Sequence, residues 1–328
     1  MQSEPAATRA RRLFWALFIV VLGVKIAVAM RLPLFVDEAF YWQEGQHLAA
    51  AYSDLPGLGK TTLAHALAAT VGLKFQRVQF TSDLLPADIL GVSIYDTSRQ
   101  AFEFHPGPVF TQVLLADEIN RAPAKTQSAL LEVMQEYQAT LEGESLGLPR
   151  PFIVMATQNP VDTEGTYPLP EAQLDRFLLQ IRIGYPTHDE EAAIVQLVTA
   201  QRAGHELPLE AVRPVLDDVQ VLELQRLASL VHVDAKVVDY AVRVVRVTRH
   251  WPGLAFGAGP RASVALIRAA RAVALIEGRD FVTPDDVAKQ ALAVLRHRVT
   301  MAPDAQIEGR DLDEILRAAL ESVEAPRL

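Results

Sequence analysis

A glycine-containing stretch followed by a lysine and two threonines has the residue types that bind phosphate. The stretch PGLGKTT supplies Pro56, Gly57, Leu58, Gly59, Lys60, Thr61 and Thr62. Phosphate binding requires backbone N–H groups at the start of a helix, a lysine that balances charge and a hydroxyl that can coordinate Mg²⁺. The general pattern begins with a glycine at the position that Asp54 occupies here. Alone, the stretch fits either a phosphate loop or a helix start with an exposed lysine.

Two carboxylates follow an apolar run further along the chain. In VLLADEIN, residues Val113–Asp117 predict a buried strand, and Asp117 and Glu118 stand at its end. The strand end would direct both carboxylates towards the phosphate loop. Asp117 is suited to bind Mg²⁺ through water, and Glu118 is suited to orient or deprotonate an attacking water. The alternative is a polar strand end that leads into a turn.

Three further polar residues follow in the expected order. Asn159 comes after a strand predicted over Phe152–Thr157, where its amide could hold the attacking water; otherwise it is a turn residue. Arg176 lies in AQLDRF, and Arg261 lies at a predicted helix start in GPRAS. Guanidinium groups suit the charge that develops on phosphoryl oxygens, although an arginine alone is more often part of a surface salt bridge. The order of all these residues together favours a nucleotide-hydrolysing site.

The elements that position these residues alternate between strands and helices. Further buried strands are predicted over Phe75–Phe80 and Leu178–Ile183, with helices in GKTTLAHALAATVG and KTQSALLEVMQEY. This alternation predicts an α/β fold with a parallel sheet and helices on both faces. Residues 93–110 and 137–152 are predicted to form hairpins with polar tips.

An all-helical domain is predicted after the boundary at Gly184–Glu191. One of its helices has a predicted N-cap at Thr283, with Pro284 at the first helical position and Asp286 completing a capping box. The predicted ranges are residues 54–185 for the α/β domain and 186–328 for the helical domain.

Composition limits the classes of function. The chain has 328 residues, a net charge of −9, no cysteine and eight histidines, none of them at a metal-ligand spacing. Disulfides, thiolate metal sites and cysteine nucleophiles are excluded. Without a long basic stretch, no nucleic-acid partner is expected.

Residues 54–328 resemble a MoxR-family AAA+ ATPase. The stretches that carry the resemblance include DLPGLGKTTLAHALA, QFTSDLLPADILG, LLADEINRAPAKTQSALLEVMQE, ATQNP, EGTYPLPEAQLDRF and GPRA. The resemblance implies ATP and Mg²⁺ as cofactors, with Walker A at Gly57–Thr61 and Walker B at Asp117–Glu118. It implies sensor 1 at Asn159, an arginine finger at Arg176 that acts on a neighbouring subunit, and sensor 2 at Arg261. It further implies a ring of six copies in the cytoplasm, protein clients that are remodelled or matured, and a partner with a von Willebrand factor A domain. In similar rings such hairpins face the pore or the client; the alternative is two ordinary surface hairpins.

Residues 1–53 do not fit this resemblance. Leu13–Met30 is apolar except for Lys25, which favours a membrane helix over a signal peptide or a buried core helix. The loop after it, with Asp37 and Glu38, resembles the start of a membrane glycosyltransferase of the dolichyl-phosphate-mannose or aminoarabinose transferase type. Leu48–Tyr52 would make a poor first strand.

This mismatch leaves alternatives open. The positive-inside rule would place Lys60 outside the cell after one crossing. Either the helix does not span the membrane, or its orientation is inverted, or the chain is a fusion. An impaired first strand would leave a nucleotide-binding assembly module with little hydrolysis.

Overall fold

A computed structural model describes residues 56–141, 143–158, 166–184, 186–199 and 212–326. These residues form two units. The first contains the described residues up to Leu169 together with Ile183–Leu222, and the second contains Pro170–Arg182 together with the residues from Glu223 onwards.

The helices and strands follow the predicted order with few exceptions. Up to residue 156 they are α1 (Pro56–Thr70), β1 (Phe75–Gln79), α2 (Pro86–Leu90), β2 (Gly91–Asp96), β3 (Ala101–Pro106), β4 (Val113–Asp117), α3 (Ala124–Glu136), β5 (Gln138–Leu141), β6 (Glu144–Gly147) and β7 (Ile153–Ala156). From residue 171 they are α4 (Glu171–Leu174), α5 (His188–Thr199), α6 (Asp218–Leu230), α7 (Ala235–Val247), β8 (Leu254–Phe256), α8 (Pro260–Ile276), α9 (Pro284–Leu295), β9 (Thr300–Met301), α10 (Pro303–Ile307) and α11 (Leu312–Glu321).

The first unit is built on a parallel sheet in which β4 lies between β1 and β7. Val113 pairs with Phe75 on one side and with Ile153 on the other. Every residue of β4 is buried, as expected for an apolar strand with hydrogen-bonded neighbours on both sides. β1 is less buried than the sequence predicted, because Arg77 and Gln79 are exposed. The sheet therefore places the end of β4 beside the ends of β1 and β7.

Helix α1 includes the sequence predicted as a phosphate loop, because it already begins at Pro56. At its other end, the carbonyl of Thr70 accepts a hydrogen bond of 2.8 Å from the N–H of Val215. Gly72 follows with φ at +62°, and a Cβ there would lie 2.3 Å from the carbonyl oxygen of Leu216. Glycine is needed here both for the backbone conformation and for this close approach.

Both predicted hairpins are present. β2 pairs with β3 and β5 pairs with β6, each pair antiparallel. The tip of the first hairpin is polar and is held by Asp96, which accepts hydrogen bonds from the backbone N–H and the hydroxyl of Ser98. Beside this tip, the rings of Tyr95 and Phe102 contact each other edge to face with centroids 5.3 Å apart, although both are at least half exposed.

The second unit is a helical assembly around one apolar core. Helices α7, α8, α9 and α11 pack together, and their buried side chains include Val244 in α7, Leu266 in α8 and Leu295 in α9. The buried residues of α8 recur at spacings of three and four and are mostly alanines: Ala262, Ala265, Leu266, Ala269, Ala270 and Ala274. Small side chains on this face let neighbouring helices approach closely.

The predicted cap of α9 is confirmed. The N–H of Thr283 donates to Asp286 Oδ2 at 2.8 Å, and the N–H of Asp286 donates to Thr283 Oγ1 at 3.4 Å. Arg279 adds two hydrogen bonds of 2.7 and 2.6 Å to the same carboxylate. Burial opposes ionisation of Asp286, but the contacts from Arg279 and Thr283 outweigh it and lower the pKa of this carboxyl group.

Two predictions about secondary structure were wrong. The second unit is not all helical, because β8 and β9 form a short antiparallel pair. Residues 178–183 do not form a strand. The N–H of Gln180 donates to the carbonyl of Ala293 at 2.8 Å, and its carbonyl accepts from Arg296 Nη1 at 3.2 Å. The backbone of this segment therefore bonds to the end of α9 instead of a neighbouring strand.

The predictions for Leu13–Met30 and for the first strand near Leu48–Tyr52 lie outside the described residues. Among the residues that the structure does describe, no helix is long and apolar enough to cross a membrane.

Candidate active site

The first pair of predicted site residues brought together is Thr61 in α1 and Asp117 at the end of β4. The hydroxyl of Thr61 donates to Asp117 Oδ2 at 3.5 Å. Asp117 is only 7% exposed, so its carboxylate needs partners that compensate for lost hydration. Packing of α1 against β4 holds the two side chains at the same edge of the sheet.

Arg77 in β1 is the main ionic partner of Asp117. Its Nε and Nη2 atoms lie 3.0 and 2.6 Å from Asp117 Oδ2, the oxygen that also faces Thr61. The side chain of Arg77 is about half exposed, which lets solvent screen part of this attraction. We did not predict this contact, because nothing in the polar residues of FQRVQF indicates which of them reaches β4.

Thr157, directly after β7, connects the two acidic residues. Its hydroxyl donates to Asp117 Oδ1 in a short hydrogen bond and accepts one of 2.8 Å from the backbone N–H of Glu118. Its carbonyl also accepts from the N–H of Ile119 at 3.0 Å. One threonine therefore fixes both the carboxylate of Asp117 and the backbone that carries Glu118.

Glu118 has a backbone conformation that is unusual for a residue with a side chain. Its φ and ψ are 55° and 48°, in the left-handed region. Non-glycine residues in this region are uncommon and are maintained only where surrounding contacts enforce them, here the bonds to Thr157. Gln79 Nε2 donates to Glu118 Oε2 at 2.8 Å, and Arg121 Nε lies 3.0 Å from the same oxygen. The carboxylate of Glu118 is thus oriented from β1 and from the turn that follows β4.

The donor set fits Mg²⁺ brought by a nucleotide. The hydroxyl of Thr61 and the buried carboxylate of Asp117 are hard oxygen ligands, and they lie within one coordination sphere of each other. In the described residues, no cluster of three or more histidine, cysteine or acidic side chains could hold a metal by itself. Mg²⁺ commonly takes one or two protein ligands and completes its shell with phosphates and water, which matches this pair.

The other predicted residues of the nucleotide site are described only in part. The backbone from Pro56 to Thr62 forms the first turns of α1, and the first N–H groups of a helix lack partners within it and can bind phosphate. The side chains of Pro56–Lys60 and of Thr62, and all of Asn159, lie outside the described residues.

The two predicted arginines both belong to the second unit. Arg261 is the second residue of α8, and its Nη1 lies 3.7 Å from Asp175 Oδ2. Arg176 follows Asp175 directly and is exposed. The other oxygen of Asp175 accepts a 2.8 Å hydrogen bond from Arg298 Nε. The sequence analysis did not identify Asp175 or Arg298 as relevant, although an aspartate directly before a candidate arginine finger was visible in AQLDRF.

Helix α1 contains the glycine–lysine–threonine sequence, and β4 ends at Asp117 with Glu118 directly after it. Together with the mostly helical second unit, this is the arrangement of an ATPase of the AAA class. The corresponding family models match: "ATPase family associated with various cellular activities (AAA)" over residues 50–179 and "AAA lid domain" over residues 246–319. The first match begins before the predicted boundary at residue 54.

Similar proteins identify the family. The chain is 47% identical over 273 residues to Uncharacterized protein YeaC of Bacillus subtilis, covering 83% of this chain and 84% of that protein. It is 45% identical over 283 residues to Chaperone MoxR1 of Mycobacterium tuberculosis, covering 84% and 73%. A crystal structure of a "putative ATPase" from Cytophaga hutchinsonii matches with a TM-score of 0.77 and 33% identity, covering 94% and 97% of the two chains. The chain belongs to the MoxR family of AAA ATPases and is an ATPase. The predicted MoxR-family membership of residues 54–328 is therefore confirmed. The glycosyltransferase resemblance of residues 1–53 has no support in these matches.

Proposed function

We propose that the chain uses ATP hydrolysis to remodel or mature client proteins, with Asp117 and Glu118 at the centre of the hydrolytic site. The observation that carries this assignment is the double contact of Thr157. Its hydroxyl binds the carboxylate of Asp117 and the backbone N–H of Glu118, and so holds both acidic residues in a fixed relation. A polar strand end with no catalytic role would not require a left-handed glutamate locked in this way.

Each residue of the site has a chemical role. The N–H groups at the start of α1 and the ammonium group of Lys60 bind the β- and γ-phosphates. Thr61 and Asp117 would hold Mg²⁺, which when bound neutralises charge on the phosphates. Glu118 orients the attacking water and accepts its proton. Asn159 holds the same water.

The contacts of Glu118 fit this role. Gln79 and Arg121 both contact Oε2 and thereby restrain the position of this oxygen. Oε1 of the same carboxylate can then accept a hydrogen bond from the water. Positioning of a base before the reaction lowers the entropic part of the barrier.

The arginines are assigned by position and by family. AAA ATPases of the MoxR type generally form rings, and we propose a homo-oligomeric ring of six copies. In it Arg176 completes the site of a neighbouring subunit, and Arg261 senses nucleotide in its own subunit. The exposure of Arg176 supports a role outside its own subunit. By family, we also propose a cytoplasmic ATPase with a von Willebrand factor A domain partner and protein clients. The apolar composition of Leu13–Met30, and not the family, supports a membrane contact of the chain.

The first test is the rate of ATP hydrolysis and the binding of a fluorescent ATP analogue by the full chain and by the Glu118→Gln variant. We expect both proteins to bind the analogue and only the unaltered chain to turn over. If the unaltered chain binds but does not hydrolyse ATP, the protein acts as a nucleotide-binding assembly module. Equal rates for the two proteins would contradict the role of Glu118.

The role of Arg176 is tested by mixing subunits. Arg176→Ala subunits retain Lys60, and Lys60→Ala subunits retain Arg176, so a mixed ring contains complete sites at some interfaces. An arginine supplied by a neighbour can contribute ~10³-fold or more to phosphoryl transfer. We expect each variant alone to be inactive and the mixture to regain activity. Mixed rings that form but stay inactive would show that Arg176 does not act across the interface.

A further inference from the structure

Arg298 binds the backbone on both sides of Arg176. Its side chain is 3% exposed. Nη2 donates to the carbonyl of Asp175 at 3.2 Å and to the carbonyl of Phe177 at 2.5 Å, and these are the two residues adjacent to Arg176. Nη1 donates to the carbonyl of Leu178 at 3.1 Å. One buried guanidinium group therefore holds the whole segment that carries Arg176.

The same guanidinium group also binds a carboxylate within this segment. Nε of Arg298 donates to Asp175 Oδ1 at 2.8 Å. A guanidinium has five N–H donors in a planar fork, and here several of them are directed at one short piece of chain. A lysine has a single ammonium nitrogen and could not span these carbonyls and the carboxylate at once.

Two further contacts restrain the segment. His297 Nε2 lies 3.0 Å from the carbonyl oxygen of Phe177. Arg261 Nη1 lies 3.7 Å from Asp175 Oδ2, so Arg261 and Arg298 contact different oxygens of one carboxylate. The two neighbours of Arg176 in the chain are thereby bound to Arg261 at the start of α8 and to the residues that follow α9.

We propose that Arg298 is a positioning residue for Arg176, and that through Asp175 it couples the direction of Arg176 to the state of Arg261. This inference rests on the proposed role of Arg176 at the site of a neighbouring subunit. An exposed arginine on an unrestrained turn would sample many directions, and fixing it in advance lowers the cost of reaching the transition state. A shift of Arg261 upon nucleotide binding in one subunit would move Asp175, and with it the arginine offered to the next subunit.

The test uses Arg298→Lys in the full chain. This change keeps the charge but removes the fork. We expect kcat to fall roughly 10- to 100-fold, because displacement of a catalytic group by about 1 Å has effects of this size. The affinity for a fluorescent ATP analogue should change little, because Arg298 contacts Asp175 Oδ1 and leaves the contact of Arg261 with Oδ2 in place.

Mixing shows whether the defect acts across the interface. In a ring with Lys60→Ala subunits, each Arg298→Lys site next to a Lys60→Ala subunit receives a correctly held Arg176. We expect this mixture to regain activity, as with Arg176→Ala subunits. The Arg176→Ala, Arg298→Lys double variant should be no slower than Arg176→Ala alone, because nothing then remains to be positioned.

Two variants separate positioning from folding. Arg279→Lys alters an ion pair with the buried carboxylate of Asp286, at the start of α9 in the same unit, and should leave kcat unchanged. If Arg298→Lys does not fold, Asp175→Asn keeps the shape of the carboxylate and should show the same pattern in the mixing experiment.

The outcomes distinguish the inference from the proposed function. If Arg176→Ala retains full activity, Arg176 has no catalytic role and both fail. Two results overturn only the positioning role of Arg298, provided that mixing shows Arg176 to act across the interface. The first is an Arg176→Ala, Arg298→Lys double variant that is slower than Arg176→Ala alone. The second is a mixture of Arg298→Lys and Lys60→Ala subunits that forms rings but does not regain activity.

Discussion

Nη2 of Arg77 lies 2.6 Å from Oδ2 of Asp117, the carboxylate oxygen that also faces the hydroxyl of Thr61. This ion pair places a cation beside the position that Mg²⁺ would use. Arg77 therefore compensates the buried carboxylate before nucleotide binds and competes with the metal afterwards.

Arg77→Gln should lower the Mg²⁺ concentration needed for half-maximal nucleotide binding. An ion pair with a half-exposed arginine contributes about 1 kcal/mol, so we expect a shift of about threefold to tenfold. Binding of a fluorescent ATP analogue during a Mg²⁺ titration measures it. Arg99→Gln is the matched control, because Arg99 forms exposed ion pairs on the β2–β3 hairpin. A higher Mg²⁺ requirement in Arg77→Gln would show that Arg77 supports the metal site instead of competing with it.

Lys60→Ala should abolish ATP binding, because the phosphates would lose their main cationic side chain. Glu118→Gln should bind ATP as the unaltered chain does and yet show almost no turnover, because an amide cannot accept the proton of the attacking water. Equilibrium binding and steady-state phosphate release on the same preparations separate the two effects. A Lys60→Ala protein that still binds ATP tightly would contradict the assignment of the phosphate site.

Thr157→Val should reduce both stability and turnover. Valine has nearly the same shape but leaves the N–H of Glu118 and the carboxylate of Asp117 without their shared partner. An unsatisfied buried donor costs about 1–3 kcal/mol. We expect a lower urea midpoint and at least a tenfold lower kcat, measured on the same samples. Thr157→Ser keeps the hydroxyl and should behave nearly as the unaltered chain; if it is as impaired as Thr157→Val, the methyl group and not the hydrogen bonds matters.

His297 should make the stability of the second unit depend on pH. Burial, reinforced by repulsion from Arg298, lowers the pKa of His297 from 6.5 to about 4, whereas Asp175 opposes this shift. Between these values the unfolded chain binds a proton that the folded chain excludes, so stability falls as the pH drops from 6.5 towards 4.

His297→Gln should weaken this dependence, because glutamine does not titrate and its amide can still donate to the carbonyl of Phe177. From pH 7 to pH 5 the unaltered chain should lose about 2 kcal/mol more than the variant. Urea unfolding at both pH values measures the difference, and other titrating groups cancel in the comparison. Equal losses in the two proteins would mean that His297 is protonated freely in the fold.

Sequence patterns predicted the parts of the fold that depend on local order. The apolar run Val113–Asp117 and the cap formed by Thr283 and Asp286 are determined by neighbouring residues, and both are present. The same logic located Thr61, Asp117 and Glu118 at one edge of the sheet, because the ends of successive elements of an α/β fold meet there.

Contacts between distant residues could not be predicted in the same way. Arg77 and Asp117 are 40 positions apart, and Arg298 and Asp175 are 123 apart, so no local pattern links them. Residues 178–183 have the apolar composition of a strand, but the end of α9 satisfies their backbone and overrides that preference.

Because β4 is the central strand, the exchange rate of its amide hydrogens reports how often the sheet of the first unit opens. Leu114, Leu115 and Ala116 are at most 1% exposed and lie between two hydrogen-bonded strands, so solvent deuterium reaches them only when the sheet itself comes apart. The two-stranded β2–β3 hairpin has no such shelter and should exchange far sooner. A slower exchange of the β4 amides upon nucleotide addition would measure how much bound nucleotide stabilises the sheet. A slower exchange of the β2–β3 amides would show that a binding partner covers the hairpin. One labelling experiment gives both rates without any substitution.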